Sequence, residues 1–313
     1  PMLREYLISE AMHALKIPTT RSLALVSTGE SVLRSSLLDG AILTRVASSH
    51  LRVGTFEYAN ATQGLEGLKQ LADYAISRHY PELTNQENPY LGLLSGVIER
   101  QASLVAAWMH IGFIHGVMNT DNMTISGETI DYGPCAFMDI FSMDTVFSSI
   151  DTHGRYKYGS QAHAAQWNLA RLADSLLPLL HKDPEKAVKL AEVAIESYSS
   201  TFNHAWITGM RSKLGLFGEE VDDFSLAQSL LDWMQTSKSD YTRTFRDLTQ
   251  ENLPESGLYN SPEFQKWHML WKARLTRNSK SQKASFCLMR DSNPAIIPNN
   301  YYVEEVLAAG EYG

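Results

Sequence analysis

Leu3, Leu7, Ile8, Ala11 and Leu15 recur at steps of about three and four, the spacing that lines one face of a helix. Ile17-Pro18-Thr19-Thr20 ends that period, since the residue before a proline is steered away from helical geometry. Ser22–Ser27 and Ala41–Val46 then read as two short strands. From about residue 63 the helical period returns, first with Leu65, Leu68, Ala72 and Ala75. A longer run follows, with Leu94, Val97, Ile98, Leu104, Val105, Trp108 and Ile111, and predicts a central core helix.

Residues 114–145 lose this period. Gly116, Gly127, Gly133 and Pro134 sit between short apolar pieces, as in loops and minimal strands. Helical patterns resume around Trp167–Leu177 and Ala187–Phe202, with Asp183-Pro184 between them. They continue near 219–236, 240–249 and 262–276, punctuated by Pro254, Gly257 and Pro262. The expected class is α+β, with a helix and small sheet before a mostly helical body. That order suits a protein-kinase-like two-lobed fold: residues 1–58 as an incomplete small N-lobe and 59–313 as a helical C-lobe.

Composition narrows the functions. Hydrophobic residues make up 44% of the chain, enough for an ordinary core, and the formal net charge is -8. Neither nucleic acid nor an anionic membrane surface is an expected partner of an acidic surface. No apolar run approaches the length of a membrane span, so a cytoplasmic location is expected. Cys135 and Cys287 lie far apart, without a neighbouring Cys or His at metal-ligand spacing, so no disulfide framework or zinc site is indicated.

The chemistry concentrates in His115-Gly116-Val117-Met118-Asn119-Thr120-Asp121-Asn122, followed by Asp131-Tyr132-Gly133. Protein kinases carry H-R-D-L-x-x-x-N and then D-F-G, whose Asn and second Asp hold Mg²⁺ on the nucleotide phosphates. On that pattern Asn122 and Asp131 fall on the metal ligands, and Val117 falls where a kinase keeps its base. A valine cannot accept a proton, and Asp121 is the nearest carboxylate that could. Taken singly, Asp121-Asn122 and Asp131-Tyr132-Gly133-Pro134 also read as plain turns.

Together, HGVMNTDNM and TIDYGP resemble the signature of the selenoprotein O family, also called the YdiU family. LREYLISEAMHALKIPTTRSLALV, LTRVASSHLRVGTFEYA, QWNLARLADSLLPLL and NPAIIPNNYYVEEVL match the same family in order, over nearly the whole chain. The resemblance implies a pseudokinase-like fold that binds ATP in a flipped orientation and transfers AMP to Ser, Thr or Tyr hydroxyls of protein substrates. It also implies Asp121 as proton acceptor, and Asn122 and Asp131 as ligands of Mg²⁺ or Mn²⁺. Arg45 and Arg52 resemble the arginines that hold the nucleotide's phosphates, a task suited to the guanidinium fork. Glu5 resembles the helix glutamate that pairs with the phosphate-binding lysine, with Glu10 as the alternative.

Two departures temper the resemblance. The family's glycine-rich loop and lysine strand are absent, which suggests an N-terminally truncated chain, and Tyr156–Ala162 replaces a common Asn-Gln-Pro. No cysteine pair supports redox-linked regulation. The competing expectation is a catalytically inactive, nucleotide-binding pseudokinase scaffold.

Overall fold

The computed structural model describes residues 1–33, 37–250, 252–254 and 257–312. Helix α1 (Met2–Ala14) packs Glu5, Ile8, Ser9 and Met12 inward, while Leu3 on the expected apolar face is exposed. The buried stripe is thus rotated relative to the apolar one. Polar groups can occupy such a stripe when they find partners, and both do: Ser9 Oγ lies 2.8 Å from Ser22 Oγ, and Glu5 is ion-paired.

Strands β1 (Arg21–Leu33) and β2 (Leu37–Val46) form an antiparallel hairpin, registered from Arg21 opposite Val46 to Leu33 opposite Leu37. Both run beyond the segments expected from sequence. Gly40 faces an irregular stretch of β1, where a β-carbon would sit 2.6 Å from Thr28 Oγ1. The outer hairpin is largely exposed, including Leu23, Leu33, Leu37 and Ile42.

Helix α2 (Val53–His79) begins ten residues earlier than the period suggested. Gly64 explains the difference: its φ of 65° interrupts helical geometry, so the segments on either side do not share one apolar phase. Helix α3 (Pro89–His110) is the anticipated core helix, with proline in its first turn and Asn88 accepting a hydrogen bond from Leu91 N–H at 3.1 Å. It packs against α4 (Gln161–Leu180) and α5 (Pro184–Lys213). Beyond them lie α6 (Asp223–Ser237), α7 (Tyr241–Asp247), α8 (Pro262–Leu275), α9 (Gln282–Ser292) and α10 (Asn300–Tyr312). The last two were not anticipated.

Between α3 and α4, β3 (Phe113–Ile114) pairs antiparallel with β4 (Ala136–Phe137). This short sheet closes a loop that contains every residue of the two chemical motifs. It is anchored in a core that joins Ile8 and Met12 of α1, Val53 and Phe56 of α2, and Trp108 of α3. A second core, rich in Trp233, Phe264, Trp267 and Trp271, unites α6 to α8. Arg4 ties the chain's ends together, donating to Glu304 Oε1 at 2.5 Å and Asn300 Oδ1 at 2.9 Å. Among the described residues no helix is long and apolar enough to cross a membrane.

Candidate active site

The loop closed by β3 and β4 folds back on itself, so that its two motifs touch. His115 is fully buried, and its Nε2 lies 2.9 Å from the carbonyl oxygen of Ile130, the residue before Asp131. Burial pushes the His115 pKa down, and a carbonyl can only accept, so neutral His115 carries its proton on Nε2. Gln161 holds the same region from α4, accepting from His115 N–H at 3.0 Å and donating to the Phe113 carbonyl at 3.0 Å. Gly116, at φ +83°, brings the first motif against the second, for a β-carbon there would lie 2.8 Å from Pro134 O.

Within the first motif, Thr120–Asn122 forms a 3₁₀ turn, started by Asn119 Oδ1 accepting from Asp121 N–H at 3.1 Å. Asn122 Nδ2 donates to the Val117 carbonyl at 2.9 Å. That bond fixes the amide and leaves its oxygen available as an acceptor. The Asp121 side chain is exposed and rests on the first turn of α2: a β-carbon on Gly54 would sit 2.4 Å from Asp121 Oδ1. Val53 N–H donates to Met123 O at 2.9 Å, fixing the start of α2 to the end of the turn.

Asp131 adopts φ +71°, a left-handed conformation that Asp tolerates better than most side chains. The residues around it are well secured. Tyr132 N–H donates to Glu5 Oε2 at 2.6 Å, and the buried Tyr132 hydroxyl bonds to Thr19 Oγ1. Trp108 Nε1 donates to Thr129 Oγ1 at 2.8 Å, and Thr20 N–H donates to Thr129 O at 3.0 Å.

Glu5, Arg45 and Asp131 meet. Arg45, at the end of β2, is hydrogen-bonded to Glu5 Oε1 and lies 3.3 Å from Asp131 Oδ1. The glutamate is 6% exposed, whereas the Asp131 side chain is 52% exposed, so one end of this relay is buried and the other open to a ligand. Glu10 stands apart, paired with Arg21 at 2.6 Å. Arg52 immediately precedes α2 and forms a bridge with Thr124. Its side chain makes no ion pair among the described residues, and its buried Nε has no partner. The expected residues therefore fall into two groups, one on Asp131 and one on Asp121, which the His115–Ile130 and Gly116–Pro134 contacts link.

The donor chemistry suits a hard divalent cation, since Asn122 offers an amide oxygen and Asp131 an open carboxylate. Among the described residues no cluster of three or more His, Cys, Asp or Glu side chains could hold a metal, so most of a cation's shell would come from a nucleotide and water. Gly54 and Glu128 escaped the reading of the sequence. Gly54 lay in an unassigned stretch. Glu128 accepts from Ser48 N–H and Ser48 Oγ, both at 3.0 Å and 80 residues away, and no local pattern marks such a pair.

The family model described as Protein adenylyltransferase SelO matches residues 2–311. A protein of Bacillus mycoides, named Protein nucleotidyltransferase YdiU, is 60% identical over 309 residues. The proteins of that name from Halalkalibacterium halodurans and Nitrosococcus oceani are 60% and 58% identical over 310 and 311 residues. Each alignment covers 99% of this chain and 63% of the relative, so the chain spans less than two thirds of their length. A match of this extent at this identity decides membership, and the chain belongs to the protein adenylyltransferase SelO family.

Proposed function

We propose that the protein carrying this chain is a protein adenylyltransferase, which transfers AMP from ATP to Ser, Thr or Tyr hydroxyls of other proteins and releases pyrophosphate. The observation that carries the reading is the pinned contact between the two loop motifs, one bearing the exposed Asp121 and the fixed Asn122 amide and the other the exposed Asp131. Family membership and the relatives' printed names support it. In this reading α1 and the β1–β2 hairpin, within residues 1–58, belong to the small lobe of a kinase-like fold. The helices in residues 59–313 form the large lobe.

Asp121 accepts the proton of the attacking hydroxyl, a role that suits an exposed carboxylate at the mouth of the loop. The hydroxyl oxygen bonds to the α-phosphorus, and the bond from that phosphorus to the bridging oxygen breaks. Arg52, whose guanidinium has no competing carboxylate among the described residues, binds phosphate oxygens as charge develops on the departing pyrophosphate. Arg45 binds phosphate while Glu5 keeps it oriented. Asn122 and Asp131 would hold Mg²⁺ or Mn²⁺, which would neutralise phosphate charge and polarise the phosphoryl oxygens.

The test follows the label. With α-³²P-ATP, radioactivity appears on protein, and with γ-³²P-ATP it does not. Transfer only from the γ position would mean a phosphotransferase, and no transfer from either would leave a nucleotide-binding scaffold.

A further inference from the structure

Away from the loop motifs, α7 and α9 border a cavity of about 680 Å³, within the range of small-molecule sites. Arg246, just inside the end of α7, and Lys283 and Arg290 of α9 line it, and no carboxylate does so among the described residues. Lys283, Phe286 and Arg290 follow one another at steps of three and four, so α9 presents them on one face. Thr249, Gln250 and Gln282 add neutral hydrogen-bonding groups.

Among the described residues no carboxylate neutralises the three cations. None forms an ion pair among the described residues. Arg246 spends Nη1 on the Asn293 and Arg290 carbonyls, at 3.2 and 3.5 Å, and Arg290 spends Nε on the Phe286 carbonyl at 3.3 Å. Their remaining nitrogens, and the Lys283 ammonium, have no protein acceptor among the described residues. The chain as a whole has 35 acidic against 27 basic residues. A concave cluster of three cations, lined by no carboxylate among the described residues, is therefore a local reversal of the molecule's charge, and a bound anion relieves the repulsion within it.

We propose that this cavity binds a phosphate-bearing small molecule, with its phosphate oxygens on Arg246, Lys283 and Arg290. A monocarboxylate would leave most of the positive charge uncompensated, whereas a diphosphate or triphosphate matches it. The guanidinium forks suit phosphate oxygens, and Phe286 adds an aromatic ring to the lining, next to which a base carried by the ligand could pack. This site is separate from the adenylyl-transfer reading and does not depend on it.

The test is calorimetry with inorganic pyrophosphate and with ADP, both in EDTA, so that no divalent ion can bridge a ligand to Asn122 and Asp131. Saturable binding is expected, weakened about tenfold or more by Lys283→Glu combined with Arg290→Glu. Both side chains are exposed, so an unchanged melting temperature shows that the fold survives. Arg52→Ala, altered at the other site, keeps the affinity. ADP binding tighter than pyrophosphate, with that advantage lost in Phe286→Ala, identifies a nucleotide. Equal affinities identify a plain polyphosphate. Absence of saturable binding by either probe, indifference to the double substitution, or loss in Arg52→Ala overturns the proposal.

Discussion

Gly54 and Asp121 are in such close approach that a β-carbon on the glycine would lie 2.4 Å from the aspartate's Oδ1. Gly54 lies in the first turn of α2 and is not among the glycines with a positive φ, so alanine there meets no backbone strain. Alanine favours a helix by up to about 1 kcal/mol over glycine. We therefore expect Gly54→Ala to leave the melting temperature unchanged or slightly raised. Displacing Asp121, the proposed proton acceptor, by an ångström is expected to lower AMP transfer about 100-fold. Paired thermal melts and labelled-AMP transfer assays check the split. Equal activity would remove Asp121 from the chemistry.

Glu5 supports Asp131 twice, through Arg45 and through Tyr132 N–H. Glu5→Ala leaves Arg45 paired only with Asp131 and strips a buried N–H of its acceptor. Arg45 is 25% exposed, so the loss falls below that of a fully buried pair, at about 2 kcal/mol. Glu5→Gln keeps an acceptor for Tyr132 and should recover part of it. Urea denaturation of the two variants measures the difference, and equal losses would assign the whole effect to the ion pair.

His115 should act as a positioning residue. His115→Ala removes the bond to the Ile130 carbonyl and opens a cavity beside Trp108, whose ring centroid lies 5.4 Å away. A cost of about 3 kcal/mol is expected. His115→Gln can donate to the same carbonyl and should restore the affinity for Mg-ATP more than it restores stability. If neither variant alters that affinity, the histidine is structural alone.

One half-buried base, His110, and one buried base, Lys213, give the stability a directional pH dependence. Burial lowers His110 from 6.5 to about 4 and Lys213 from 10.5 to about 7. Between pH 4 and 6.5 the unfolded chain holds a proton on His110 that the folded chain lacks, so this contribution falls as pH drops through that window. Between pH 7 and 10.5 the same holds for Lys213, so stability rises with pH there. His110→Gln can still donate to the Trp206 carbonyl, which His110 Nε2 meets at 2.8 Å. It should flatten the acidic slope, and Lys213→Met should flatten the alkaline one. Unfolding free energies measured across both windows check this, and slopes identical to the parent's would refute it.

The parts of this fold legible in the sequence are those where burial follows an unbroken period. Helix α3 was readable because Leu94, Val97, Ile98, Leu104 and Val105 keep one apolar period, although Gln101 on the same face is also buried. The inward face of α1 was not, since Glu5 and Ser9 are buried by partners that lie on β2 and β1. Helix α2 hid its start behind Gly64. Both loop motifs stood out in the sequence as candidate chemistry, yet their mutual contact rests on Gly116 meeting Pro134, a long-range closeness with no local signal. The cationic cavity was invisible for the same reason: Arg246 and Lys283 lie on separate helices, 37 positions apart in the chain.

We propose that Asn122 and Asp131 together hold a divalent ion on the bound nucleotide. Electron paramagnetic resonance of Mn²⁺, titrated with the protein in the presence of ATP, tests it by counting immobilised ions. A protein-bound Mn²⁺ signal is expected, whose affinity falls about tenfold or more in Asn122→Ala and again in Asp131→Ala. Bound Mn²⁺ of undiminished affinity in both variants would contradict it.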